Sequence, residues 1–509
     1  MKMVSLTYVA LIIGAVQPIV AIPFSSTNTE NEYIVVFKSG ETRPWAEILS
    51  ELGYNETKRH TKVSAHEGGH TFGSTYVTSH GSKSNIRTFG STFRALTMKM
   101  PRTHSADIRA LPGVAFVERN NIRSKQVPHK SKFQSSRHGI TEQTPREVSD
   151  WKNRHYKLVG RQDSIDSMDE FISTNETTIS IPTSPSSTNG TISISLNNTQ
   201  LMEQATAPWN LQRISSADPI PADGRLITEL TYKYRFDKLS GAGADVYVVD
   251  SGLDIHHPEF QGRAQMLFSA FDDDGRDVDG HGTHVAGTVG SLTYGVAKNA
   301  NLYGCKVLSD EGDGSDDGIA AGIDAALTSH LLRMKQPDFA GSVMNLSLGS
   351  PKKSRVLFDV IQRAAQAGMH ITIAPGNDNK DACTDFPAGY TKDIPSLLSV
   401  GASDIDDFRA SFSDYGSCVD IHAPGVGIVS TVPDGKKVPK EGTSMASPAV
   451  AGVIAAELIR NPQFKLDPVG MKKHIIDLAK KGAVKAKKGD TVPEGGRDLL
   501  NTGFPGNPT

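Results

Sequence analysis

The chain has 509 residues, 54 Lys or Arg against 56 Asp or Glu, and a formal net charge of −2. That length provides for two or three domains, with ample apolar material for a large core. Without an excess of positive charge, neither nucleic acid nor an anionic lipid surface is indicated as a partner.

The first 21 residues, MKMVSLTYVALIIGAVQPIVA, carry Lys2, an apolar run and the small Ala21 ahead of IPFSS. This is the pattern of a secretory signal peptide. Gln17 and Pro18 interrupt the run, which disfavours a membrane-spanning helix. No later segment holds 18 uninterrupted apolar residues, so the mature chain is expected to leave the membrane and follow the secretory pathway to an extracellular or vacuolar destination. The three cysteines, Cys305, Cys383 and Cys418, allow one bridge and one leftover thiol.

Residues 32–120 read as a small α+β unit. EYIVVFK (32–38), FRALTMKM (93–100) and VAFVERN (114–120) have the composition of strands, while WAEILSEL (45–52) and HSADIRAL (104–111) read as helices. A polar insertion, roughly 54–85, contains His66, Glu67 and His70 in the spacing H-E-x-x-H. That spacing binds zinc when a helix presents both imidazoles on one face. Here Gly68 and Gly69 each cost a helix about 1 kcal/mol relative to alanine, and the flanks lack a period of 3.6. The zinc-peptidase reading is therefore set aside.

Residues 121–205 change character. In 172–200, 18 of 29 residues are Ser, Thr or Asn, too many for a packed core, so the segment reads as a disordered, glycosylated linker. Sequons at Asn175, Asn189 and Asn197 agree, and Asn55 heads another. The sequon at Asn345 falls in an apolar run and is expected to stay bare.

From about residue 207, apolar runs alternate with helical patterns: GADVYVVD (243–250), HVAGTVGSL (284–292), NLYGCKVL (301–308), GIAAGIDAALTSHLLRM (318–334), SVMNLSLG (342–349), VLFDVIQRAAQAG (356–368), HITIAPGN (370–377) and ASPAVAGVIAAELIRN (446–461). The alternation predicts an α/β fold with a mostly parallel sheet, whose site lies at the carboxyl ends of the strands.

Three motifs fall at those ends. VVDSGLD places Asp250 at a strand end, GHGTHVAG places His281 before a helix of small residues, and GTSMASPAVAG places Ser444 at the start of the longest apolar helix. A serine needs an imidazole to take its proton, and the imidazole needs a buried carboxylate to hold its tautomer. Taken singly, each residue has a plainer reading as turn, metal ligand or N-cap. The ordered set Asp, His, Ser points to acyl transfer.

In these motifs the chain resembles subtilisin-like serine proteases, and in particular the proteinase K and cerevisin branch of fungi. The resemblance covers about 207–505 as a three-layer peptidase domain, and 32–120 resembles the family's ferredoxin-like inhibitory propeptide. It implies a zymogen in which Asp250 orients, His281 is base and acid, and Ser444 is the nucleophile. The turn APGN implies Asn377 as oxyanion donor, with Pro375 in place of the family's alanine beside the primary pocket. Substrate strands would pair with Ser347, Leu348 and Gly349 on one side and Asp313 and Gly314 on the other, with Ala374, Pro375 and Gly376 lining the primary pocket. The resemblance further pairs Cys383 with Cys418, leaving Cys305 as a core thiol. It also implies a calcium site at Asp420 with the carbonyls of Pro395 and Leu397. No cofactor is required for the chemistry. His284 is expected as a packed neighbour of His281.

The expected product is a monomeric, secreted or vacuolar serine endopeptidase acting on proteins or peptides and inhibited by its own propeptide. Maturation is expected near 201–206. Two rivals stand beside it. One is a processing protease drawn to basic residues by the acidic loop Asp310, Glu311, Asp313, Asp316 and Asp317, with Asp378 and Asp385 near the primary pocket. The other is a catalytically silent binding protein of the same fold.

Overall fold

A computed structural model of the chain describes residues 31–52, 58–61, 64–65, 71–72, 75–78, 85–90, 92–102, 104–126, 128, 201–271, 273–486 and 496–503. The signal-like segment 1–21, the sequons at Asn55, Asn175, Asn189 and Asn197, and His66, Glu67 and His70 lie outside the described residues. The short strands flanking that last motif, Ser64–Ala65 and Thr71–Phe72, pair antiparallel with Ala65 opposite Thr71.

Seven parallel strands form the central sheet, in the order Ala264–Ser269, Asn301–Lys306, Ala244–Asp250, Gly341–Leu346, His370–Ile373, Leu397–Ser403 and Ile421–Pro424. Strands buried on both faces need apolar side chains throughout, and Ala244–Asp250 is buried at every position. One face is covered by helices His281–Gly290 and Thr443–Arg460, the other by Asp316–Arg333 and Arg355–Gln366. The expected three-layer α/β architecture is present. Asn345 is fully buried, its amide donating to Ser347 Oγ at 2.9 Å, so its sequon is enclosed.

The first unit is a six-stranded antiparallel sheet carrying helices Trp45–Glu51 and His104–Arg109. The segment expected as a polar insertion contributes two strands to this sheet, Lys58–Thr61 and Thr75–Thr78, and Asn85–Phe89 follows at its end. Lys58–Thr61 and Thr75–Thr78 lack apolar alternation, because they are specified by backbone pairing with a neighbour more than by an apolar pattern.

Ile34, Val36, Phe89, Phe93 and Ala95 of this unit join the same apolar cluster as the helices Asp316–Arg333 and Arg355–Gln366. Two helix starts anchor the contact. The Glu118 carboxylate accepts from the N–H groups of Arg355 and Val356 and from Ser354 Oγ, each at 2.8 Å. Asn120 Oδ1 accepts from the Asp317 N–H at 3.1 Å. Helix N-termini present N–H groups without partners of their own, and an acceptor there is favoured by the dipole as well. Burial against the helix pushes the Glu118 carboxyl above its usual range, partly opposed by those three donors.

The linker read over 121–205 is shorter than expected at both ends. Ile122–Lys125 is a strand, and Leu201–Ala207 pairs antiparallel with Tyr232–Asp237. Next along the chain, helix Trp209–Ser215 is locked by a buried ion pair in which Arg213 Nε lies 2.7 Å and Nη2 3.2 Å from the two oxygens of Asp407. Removing one partner strands a charge away from water. Arg213→Met is expected to cost about 3–5 kcal/mol in urea unfolding, far more than a surface Arg→Met change.

Candidate functional site

Asp250 ends its strand with a carboxylate that is fully buried. Its Oδ1 accepts from the Ser251 N–H at 2.7 Å and lies 2.7 Å from His281 Nδ1. The His281 ring is therefore held with Nδ1–H toward Asp250, which leaves the Nε2 lone pair facing the cleft; Nε2 is buried with no hydrogen-bond partner. His281 opens its helix after Gly280, whose φ of +79° suits glycine. His284, one turn on, takes no part. Its Nε2–H is shared between the carbonyls of Ile428 and Val438 at 3.0 and 3.1 Å, and burial drives its pKa well below the usual histidine value.

Ser444 sits in the first turn of Thr443–Arg460. Pro448 has no N–H to donate to the Ser444 carbonyl four residues back. The Ser347 hydroxyl lies 3.2 Å from that oxygen and takes the vacant place. Asn345 and Ser447 brace the same region, with Ser447 Oγ donating to Asn345 Oδ1 at 2.7 Å.

Asn377 follows the strand His370–Ile373 through the buried turn Ala374, Pro375 and Gly376. Its Oδ1 accepts from the Thr443 N–H at 2.9 Å, which fixes the amide. The Nδ2 donor is then left buried and unpartnered, available to an oxygen that gains negative charge. A Cβ on Gly376 would fall 2.2 Å from Asp414 Oδ2, so the turn accepts only glycine there. Burial raises the Asp414 carboxyl to about 6.

A strand occupies the cleft between the two predicted edges. Ile122–Lys125 pairs antiparallel with Asp313–Ser315 on one side and with Leu348–Gly349 on the other. The Lys125 N–H donates to Gly312 O at 3.0 Å and the Gln126 N–H to Ser347 O at 3.1 Å. The Gln126 carbonyl oxygen lies 2.5 Å from Ser444 Oγ. Its side chain runs along Gly349, where any Cβ would fall 2.4 Å from Gln126 Nε2. All of Asp313, Gly314, Ser347, Leu348 and Gly349 thus line one extended segment of the chain itself.

Of the carboxylates expected to attract cations, Asp378 and Asp385 share one ammonium: Lys380 Nζ lies 2.9 Å from the first and 3.1 Å from the second. Asp310 pairs with Lys306 at 2.9 Å and Asp317 with Arg87 at 2.8 Å. Asp316 of the acidic loop holds a cation of the bound segment, with Arg123 Nε 2.5 Å from its Oδ1. Asp279 was overlooked in the sequence, where it reads as part of the histidine motif. It meets the Lys125 ammonium.

Cys383 and Cys418 are bridged, with Cα atoms 5.1 Å apart, and Cys305 is a buried free thiol whose pKa burial pushes up.

A family model described as the subtilase family matches residues 241–494. Alkaline protease 2 of Aspergillus fumigatus is 41% identical over 305 residues, covering 57% of this chain and 59% of that protein. The cuticle-degrading protease of Metarhizium anisopliae is 40% identical over 295 residues, covering 57% of this chain and 70% of the relative. A crystal structure of a cold-adapted subtilisin-like serine proteinase matches with TM-score 0.50 and 37% identity over 58% of this chain and 98% of that one. The chain thus spans about three fifths of the length of the first of these relatives.

The donors expected for calcium do not fit a metal ion. Lys472 Nζ lies 2.7 Å from Asp420 Oδ1 and 2.6 Å from the Leu397 carbonyl. An ammonium thus takes two of the three predicted ligands, and a dication beside it would be repelled. The Asp420 motif is legible in sequence, but Lys472, 52 residues on in the following helix Pro468–Leu478, is not. Lys472→Met should lower stability by about 2 kcal/mol, as expected for a lost hydrogen bond to a charged group. A chelator should leave the melting temperature of the parent unchanged; a chelator-induced drop would contradict this assignment.

Proposed function

The chain belongs to the subtilase family, and on that premise we propose that it is a serine endopeptidase made as a zymogen, cutting protein or peptide chains through Asp250, His281 and Ser444. The observation that carries this reading is the Gln126 carbonyl, 2.5 Å from Ser444 Oγ at the end of a strand paired on both sides. A peptide carbonyl is delivered to the hydroxyl, with a tautomer-fixed imidazole and a free amide donor built into the same cleft.

In the proposed reaction, Ser444 gives its proton to His281 Nε2 as Oγ bonds to the carbonyl carbon. Asp250 stabilises the imidazolium, and Asn377 Nδ2–H, with the Ser444 backbone N–H, holds the oxygen as it becomes negative. Collapse expels the amine, which takes the proton from His281 and leaves an acyl-enzyme. Water, deprotonated by the same imidazole, then releases the acid.

Residues 32–126 act as an inhibitor that presents its own last peptide bond as the first substrate. The first cut then follows Gln126, rather than falling near 201–206, where Leu201–Ala207 is tied into the peptidase unit. A secretory route to the cell exterior or vacuole, with glycans on 127–200, rests on the segment 1–21 and the sequons.

N-terminal sequencing of the expressed full chain should give a peptidase fragment beginning at Val127, and Ser444→Ala should stay uncut. An unchanged fragment from Ser444→Ala would assign the cutting to another protease. Asn377→Ala is expected to lower kcat about 10²–10³-fold, as for removal of one oxyanion donor. A fluorophosphonate should label the matured parent at Ser444, which a catalytically silent protein would not allow.

A further inference from the structure

The residues seated in the cleft are Ile122, Arg123, Ser124, Lys125 and Gln126, and two of them are cations. Arg123 is among the largest fully buried side chains of the molecule. Its Nε lies 2.5 Å from Asp316 Oδ1, both side chains show no exposure, and its Nη1 donates to the Phe386 carbonyl at 3.3 Å. Asp316 opens its own helix, and its Oδ2 accepts at 2.9 Å from Nδ2 of Asn121, a residue of the same departing segment as Arg123. Two residues on, the Lys125 ammonium bonds the Asp279 carboxylate, whose other oxygen accepts the His281 N–H at 3.1 Å. Lys125 is partly open to water.

We propose that this cleft selects substrates with arginine at the fourth and lysine at the second residue before the cut, read by Asp316 and Asp279, with an uncharged residue at the cut itself. The proposal rests on the protease reading above and names the substrate class of that site. A charged guanidinium loses its hydration on entering so enclosed a pocket, so it can bind there only against a carboxylate held in place. An alanine in its place would leave Asp316 without its partner. The fourth position therefore discriminates strongly. The second position is partly solvated, so it discriminates weakly. In the primary pocket, the Lys380 ammonium lies between Asp378 and Asp385, and the chain's own residue at the cut is a neutral glutamine.

The test uses the matured enzyme and the fluorogenic amides acetyl-Arg-Ser-Lys-Gln, acetyl-Ala-Ser-Lys-Gln and acetyl-Arg-Ser-Ala-Gln. The first should exceed the second in kcat/KM by about 10- to 100-fold, the range expected for a buried charge-assisted hydrogen bond. It should exceed the third by only about threefold, and that smaller ratio should shrink further in high salt, where exposed charges are screened. In Asp316→Asn the Arg-to-Ala ratio at the fourth position should fall below about threefold, with active enzyme counted by fluorophosphonate labelling so that misfolded protein does not enter the ratio. Equal kcat/KM for the first two peptides in the parent enzyme would overturn the proposal while casein is still cleaved. Absence of cleavage of casein and peptides alike, with Ser444 unlabelled, would overturn the protease reading together with it.

Discussion

Backbone pairing of Ile122–Lys125 between two edges of the peptidase unit is the constraint from which the geometry of the cleft follows. Hydrogen bonds from Lys125 and Gln126 to Gly312 and Ser347 set the depth at which the segment lies. Main-chain pairing alone would tolerate a slip, because every residue offers the same donor and acceptor. A slip by one residue would withdraw Arg123 from Asp316 and bring a different carbonyl to Ser444. Register is held by side chains and by the folded unit behind the strand. Ser124 Oγ lies 2.5 Å from Asp313 Oδ1, and Glu118 and Asn120, just upstream, sit on two helix starts. Strand addition supplies direction, and the helix caps supply position along it.

The centre of the cleft departs from the usual rule that buried polar atoms find partners. Asp250 Oδ2, His281 Nε2 and Asn377 Nδ2 are all buried without a partner. Such atoms are costly elsewhere in a fold and cluster where chemistry is done. Each belongs to a side chain whose other polar atom is held: Asp250 by the Ser251 N–H, His281 by Asp250, Asn377 by the Thr443 N–H. The orientation of every group is thus set before substrate arrives, and in His281 and Asn377 the unsatisfied atom is the one the proposed reaction uses. Pro448 contributes through an omission, since the carbonyl it leaves free is taken by Ser347, whose own carbonyl receives the Gln126 N–H. The start of the nucleophile's helix and the substrate edge are therefore joined by one serine.

Much of this was legible in the chain, and the exceptions have a common cause. Ala244–Asp250, Gly341–Leu346 and the helix Thr443–Arg460 stood out because a buried parallel sheet and its covering helices require long apolar runs. Asp250, His281, Ser444 and Asn377 could be located because each lies at the end of such an element. Ile122–Lys125 could not, since IRSK has no apolar period and becomes a strand only through its partners. The same holds for Lys58–Thr61 and Thr75–Thr78 at the outer side of the first sheet. Lys472 was hidden for a related reason: its role depends on a carboxylate 52 residues away, and no local spacing announces that an ammonium rather than a metal ion will sit beside Asp420. Local patterns reveal elements, whereas partners assigned across the fold must be seen.

The placement of charge along the cleft follows from the reaction itself. In the transition state His281 carries a positive charge, stabilised by the buried Asp250 carboxylate. A cationic side chain in the primary pocket would raise the energy of that imidazolium, because low-dielectric surroundings weaken such repulsion little. The pocket's own carboxylates, Asp378 and Asp385, share the one Lys380 ammonium, which offsets part of their charge, and the residue found there is glutamine. Arg123 meets its carboxylate three residues upstream, where the distance along an extended strand is about 10 Å and the coupling to His281 is correspondingly weak. The nearer cation, Lys125, is offset by Asp279, whose second oxygen accepts the His281 N–H, so that ion pair adds little net charge beside the imidazole. Recognition of cations at alternate positions before the cut is thereby compatible with a mechanism that must create a cation at the cut itself.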